Sequence, residues 1–158
     1  MIFALATPTG KAALAVFRIS GSGCHEVISK ILDKNIAEFN RVFLRKIIHD
    51  GVLVDVSTVV FYKSPKSYTG EDMVEVFCHG GFATLKKLID LFHNLNIREA
   101  EPGEFTKIAV LNGKQTLNEA ESLLDLINST TDAEMNMALG VVAGELSNTV
   151  SVLGDELD

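Results

Sequence analysis

Residues 101–127, EPGEFTKIAVLNGKQTLNEAESLLDLI, divide the chain into two kinds of structure. Pro102 and Gly103 interrupt whatever precedes them, and from Glu104 onward the pattern is helical throughout. Thr116 followed three residues later by Glu119 makes a T-x-x-E capping box, in which each side chain satisfies a backbone N–H at the helix start. Leu117, Ala120, Leu124 and Ile127 then share one face at helical spacing, which predicts that they are buried. Residues 129–132 supply a further cap. Leu139, Val142, Leu146, Val150, Leu153 and Leu157 follow at alternating spacings of three and four, as in a bundle or coiled coil. This last stripe has too few partners on the chain to cover it, so it reads as the cut edge of a larger bundle or as a self-association surface.

Upstream of Pro102 strands and helices interleave. Residues 2–6 and 12–19 read as strands on either side of Thr7-Pro8-Thr9-Gly10, a turn combining Pro and Gly. Alternation in the second places Leu14, Val16 and Arg18 on one face and Ala13, Ala15, Phe17 and Ile19 on the other. A helix is expected over 24–32, and Asp50-Gly51 marks a hairpin between strands 41–49 and 53–62. A polar loop over 63–71 leads to a strand over 72–78. Gly80 and Gly81 open a helix with Leu85, Leu88, Ile89, Phe92 and Leu95 on one stripe, and a short strand follows over 97–100. The expected architecture is α+β (α/β), a mixed sheet with packed helices in residues 1–115, followed by the first helices of a truncated bundle in 116–158.

A length of 158 residues matches one ordinary domain, and 47% apolar against 22% charged residues excludes a disordered chain. No apolar run approaches the roughly 20 residues that cross a bilayer. The opening MIFALATPTGK has no basic stretch before its apolar run and reads as a strand, so the expected location is the cytoplasm with no membrane contact. Cys24 and Cys78 are too few and too far apart for a disulfide framework. A formal charge of −7 argues against broad binding to a phosphate backbone, so any nucleic acid is expected to be held mainly by other parts of an assembly.

Three charged residues stand out. Arg18 shares a strand face with Leu14 and Val16, where a guanidinium is costly to bury unless an anion meets it; an internal ion pair or a strand-edge position answers equally well. Glu75 lies between Met73 and Phe77 on an otherwise apolar strand face. A carboxylate there accepts two hydrogen bonds side by side, as from the edge of a nitrogen heterocycle, or else pairs with Arg18 or faces solvent. Lys114, just ahead of the capped helix, is by itself a solvated surface group. Cys24-His25 and Cys78-His79 carry zinc-binding residue types, but adjacent ligands without C-x-x-C spacing favour buried thiols beside structural imidazoles, and no metal is assigned. Glu119, Glu121 and Asp125 read as the solvated face of a helix. No G-x-x-x-x-G-K-[ST] segment is present: Ile108 stands where its first glycine belongs and Gln115 follows Lys114, so neither GTP binding nor hydrolysis is expected of these residues.

Residues 101–127, together with SYTGEDMVEVFCHGG (67–81) and AVFRISG (15–21), resemble the amino-terminal folate-binding domain of the MnmE (TrmE) tRNA-modification GTPases, over roughly residues 2–131. The resemblance implies a fold similar to the folate-binding domain of the glycine-cleavage aminomethyltransferase. It also implies three folate contacts: Arg18 in R-I-S-G, Glu75 as the last glutamate of G-E-D-x-x-E, and Lys114 in L-N-x-K. The cofactor implied is 5-formyltetrahydrofolate or 5,10-methylenetetrahydrofolate, while GTP, potassium and magnesium belong to a GTP-binding domain outside these residues. A homodimer is implied, working with an FAD-dependent partner of the MnmG (GidA) type to add an aminomethyl or carboxymethylaminomethyl group at the 5-position of a tRNA wobble uridine.

The chain departs from the family pattern at several positions. Ile108 replaces a usual arginine, Val110 a phenylalanine, and Thr116 and Glu119 replace aspartate and glutamine. The last pair keeps the capping chemistry, whereas Ile108 removes a cation that serves the folate tail, tRNA or a partner. The family's carboxyl-terminal C-x-G-K is also absent. No nucleophile is assigned, since holding and orienting the folate is this segment's expected share. Two other functions fit the same residues: a stand-alone folate-dependent aminomethyltransferase, and a dimerisation module with a vestigial pocket.

Overall fold

The computed structural model describes residues 1–143. The first elements are strand β1 (Ile2–Leu5), strand β2 (Leu14–Ser20), helix α1 (Cys24–Ser29), strand β3 (Val42–His49) and strand β4 (Val52–Tyr62). Strand β5 (Met73–His79), helix α2 (Phe82–Asn94), strand β6 (Arg98–Glu99) and helices α3 (Glu104–Leu111), α4 (Leu117–Asn128) and α5 (Asp132–Val142) complete the described order. The strands form one mixed sheet in the order β3-β4-β5-β2-β1-β6. All neighbours run antiparallel except β1 and β6. The class is therefore α+β, as the interleaved pattern predicts.

Period-two alternation decides the two faces of the sheet. Ala15, Phe17 and Ile19 of β2, Val74, Val76 and Cys78 of β5, and Val59 and Phe61 of β4 point into one core with Cys24 and Ile28 of α1 and Leu85, Leu88, Leu91 and Phe92 of α2. Phe3, Phe17 and Phe92 meet there, with ring centroids 5.1–6.4 Å apart. The opposite face carries Val16 and Arg18 beside Phe77 and Glu75, with Thr58 and Val60 across the next ladder and Leu44 and Val42 beyond them. Leu14, Val42, Leu44 and Val56 on that face remain exposed, at 63%, 71%, 67% and 37%.

The β3–β4 hairpin turns at Asp50 (φ 48°) and Gly51 (φ 76°), two consecutive left-handed residues of the kind a tight antiparallel connection demands. A register shift between Ile47 and Ile48 twists the end of this hairpin. Helix α1 is shorter than residues 24–32 suggest: it ends at Ser29, because Leu32 leaves to bridge Ile47 and Asp33 accepts the Lys46 N–H.

The chain forms two compact units that divide between Ile108 and Ala109, inside α3, whereas the sequence pattern suggests a division after residue 115, ahead of the capped helix. In the second unit the capping box at Thr116 is present in both directions. The cap expected within 129–132 is Thr131, which forms a second reciprocal box with Glu134. One expectation is overturned: Leu117, Leu124 and Ile127 are 63%, 61% and 72% exposed, and the buried residue of α4 is Ser122. Helix α5 lies against the small-residue side of α4, leaving the leucine stripe uncovered by any described residue. The part of the terminal stripe beyond Ala143 lies outside the described residues.

Candidate functional site

Arg18 and Glu75 are direct partners across the β2–β5 ladder, and both point to the face away from the core. Arg18 Nε and Nη2 donate to Glu75 Oε1 at 3.0 and 2.8 Å. Tyr62, two residues beyond the Val60 that pairs with Glu75, donates its hydroxyl to Oε2 at 3.0 Å. Burial, followed by the negative charge of Glu75, pushes the Tyr62 phenol up to about 12. The pair is only partly shielded, with 25% of the Arg18 side chain and 12% of the Glu75 side chain open to solvent.

Aromatic rings cover the cation. The Arg18 guanidinium carbon lies 4.5 Å from the ring centroid of Tyr68 and 5.9 Å from that of Phe105. The Tyr68 hydroxyl meets Thr106 Oγ1 at 3.0 Å, tying the 63–72 loop to the first turn of α3. Ser20 Oγ contacts Thr69 Oγ1 at 2.7 Å and donates to Glu71 at 2.9 Å, while Asp72 accepts from the Ser64 N–H and Lys63. Burial opposes the Asp72 charge, but the bonds from Lys63 and Ser64 outweigh it and lower its pKa. The loop bearing Tyr68 is therefore anchored at both ends.

Arg18 and Glu75 lie in the first unit and Lys114 in the second. Arg18 and Glu75 form an ion pair with one another, and Tyr68 and Phe105 lie over the cation. Lys114 belongs to the second unit, where it follows Gly113 (φ 66°) and its N–H donates to the Ala109 carbonyl at 2.8 Å, closing the end of α3. Tyr62, Tyr68 and Phe105 carry no individual mark in the sequence. Alternation over Val60-Phe61-Tyr62 is the one signal for them, since it puts Tyr62 on the Glu75 side of the sheet.

The two Cys-His dipeptides serve different parts of the fold. Cys24 and Cys78 are buried, and burial pushes their thiols up to about 12 and about 11. His25 Nε2 lies 3.1 Å from the Tyr62 carbonyl oxygen, and its ring stacks on Phe61 at 5.0 Å. His79 Nδ1 lies 2.7 Å from Asp55, which also accepts from Ser57 Oγ. Burial works against the Asp55 charge, but these donors prevail and lower its pKa. Among the described residues no group of three or more potential ligands is arranged to hold a metal ion, and no helix is long and apolar enough to cross a membrane.

The family model described as GTP-binding protein TrmE N-terminus matches residues 1–114. The chain belongs to this family. It is 48% identical to the tRNA modification GTPase MnmE of Thermotoga maritima over 161 aligned residues, covering 99% of this chain and 35% of that protein. The proteins of the same name from Fervidobacterium nodosum and Aquifex aeolicus are 41% and 40% identical, again over 99% of this chain and 35% of theirs. The chain thus spans about a third of the length of these curated relatives. The matched TrmE segment includes Arg18, Glu75, the Tyr68 loop and Lys114.

Proposed function

We propose that this chain is the folate-binding and dimer-forming part of a GTPase that modifies the wobble uridine of tRNA. The carrying observation is the largely shielded Arg18–Glu75 pair beneath Tyr68, in a chain whose relatives are named tRNA modification GTPase MnmE. A flat, nitrogen-rich ring suits such a place: Tyr68 and Phe105 offer faces for stacking, and Glu75 offers an acceptor beside a cation. Arg18, Glu75 and Lys114 are assigned to the folate, in its 5-formyl or 5,10-methylene form. When bound, the folate supplies the one-carbon unit, and the chain's residues bind and orient it.

Oε1 of Glu75 already accepts two N–H groups, and Oε2 accepts one from Tyr62. One acceptor position remains on the carboxylate, so a ligand bonding to Glu75 takes that position or moves Arg18 aside. The exposed Leu14, Val42, Leu44 and Val56 on the same sheet face support homodimerisation through the first unit. The net charge of −7 fits a part that leaves most of the tRNA contact to the rest of an assembly, including an FAD-dependent MnmG-type partner in the cytoplasm.

Calorimetry with 5-formyltetrahydrofolate tests the assignment. Saturable heat at micromolar to submillimolar ligand is expected. The absence of heat at millimolar ligand overturns the folate reading, and one-carbon transfer by the chain with no partner points instead to a stand-alone transferase.

A further inference from the structure

We infer that the pocket between the β1–β2 turn and the start of α2 binds an amphiphilic anion, an apolar chain or ring ending in a carboxylate. It is lined by the buried or half-buried Leu5, Leu85 and Ile89, by the exposed Phe82, and by the exposed Lys11 and Lys86. Its volume of about 530 Å³ lies within the range of roughly 300–1,000 Å³ usual for small-molecule sites.

The apolar part is open. Phe82 is 84% exposed, the largest exposure among the large apolar residues described, and it stands on the stripe that carries Leu85 and Ile89. A phenyl ring left in water beside a concave apolar floor favours a ligand that covers both. The rim is cationic: Lys11 and Lys86 form no ion pair with any described residue. Positive potential also comes from the backbone, because Gly81, the N-cap of the 13-residue α2, provides no side-chain cap and the first turn has no acidic residue. A neutral apolar cover would leave both ammonium groups without a counter-charge, whereas a carboxylate supplies one.

The pocket is separate from the Arg18 site. Leu5 pairs with Phe17, and both point to the helix-covered face, whereas the next pair along, Ala4 and Arg18, points the other way. A ligand at Leu5 and Phe82 thus lies on the far side of the sheet from Glu75. The two sites are expected to bind independently.

The probe is decanoate, added to the 158-residue chain and followed by amide ¹H–¹⁵N shifts. Saturable shifts are expected at Gly10, Phe82 and Ile89, with 1-decanol binding at least tenfold more weakly. The double variant Lys11→Glu/Lys86→Glu, both surface changes, is expected to weaken decanoate at least tenfold without altering the circular dichroism spectrum. Arg18→Ala is expected to leave decanoate binding unchanged, which separates this proposal from the folate reading. Shifts absent from these amides, equal binding of decanol, or full affinity in the double variant would each overturn it.

Discussion

Arg18 donates twice to a single oxygen of Glu75, from Nε at 3.0 Å and Nη2 at 2.8 Å, and leaves the other oxygen to Tyr62. The guanidinium is therefore not forked over both carboxylate oxygens. Its third nitrogen, Nη1, makes no hydrogen bond to any described residue, and the guanidinium carbon lies 4.5 Å from the Tyr68 ring centroid. The arrangement keeps one donor group and one acceptor position in reserve.

Glu75→Gln keeps the shape of this site but removes its charge. Calorimetry is expected to show 5-formyltetrahydrofolate binding weakened by about 1–3 kcal/mol, the cost of donors left poorly paired. Unchanged affinity would remove Glu75 from the contact set. The paired variant Arg18→Ala leaves a nearly buried carboxylate with Tyr62 alone, and its urea midpoint is expected to fall by an amount equivalent to about 1–3 kcal/mol.

Tyr62 and Tyr68 are the two tyrosines of a chain without tryptophan, so absorbance at alkaline pH reads them cleanly. Burial and Glu75 raise the Tyr62 phenol from its ordinary 10.0 to about 12. The folded state therefore holds a proton that the unfolded state releases, and stability contributed by this phenol is present below pH 10 and lost between pH 10 and about 12. A titration step near pH 12 is expected in the parent chain and missing in Tyr62→Phe; if the step lost in the variant lies near the ordinary 10.0 instead, the phenol is in water.

At the acid end, Arg98 and then the Glu101 N–H hold Glu104 down at about 2, with Arg98 Nη1 3.0 Å from Oε2. The sign is opposite to that of Tyr62: the stabilisation is full above the ordinary 4.5 and is lost as pH falls from 4.5 towards 2. Thermal melts across this interval are expected to show a shallower slope for Glu104→Gln than for the parent.

Self-association through the open sheet face makes Leu44 a sensitive position, since it is 67% exposed between Val42 and the β4 ladder. Sedimentation is expected to show that Leu44→Lys shifts a dimer towards monomer without loss of secondary structure. A chain ending at Thr131 should remain dimeric, because Leu14, Val42, Leu44 and Val56 all belong to the first unit. A monomer from that shorter chain would move the contact out of the sheet unit.

What residue order determined by itself was local. Alternation placed Arg18 opposite to Phe17 and Ile19 along β2, Asp50-Gly51 set the hairpin, and the T-x-x-E spacing set the start of α4; each depends on residues within a few positions of one another. Tertiary structure alone decided the partner of Arg18, since residues 57 positions apart meet through ladder register. It also brought Tyr62, Tyr68 and Phe105 around that pair, from a strand end, a loop and a helix start. The same limit explains α4: periodicity specifies which residues share a face, but burial requires a partner on that face, and α5 packs beside Ser122 instead.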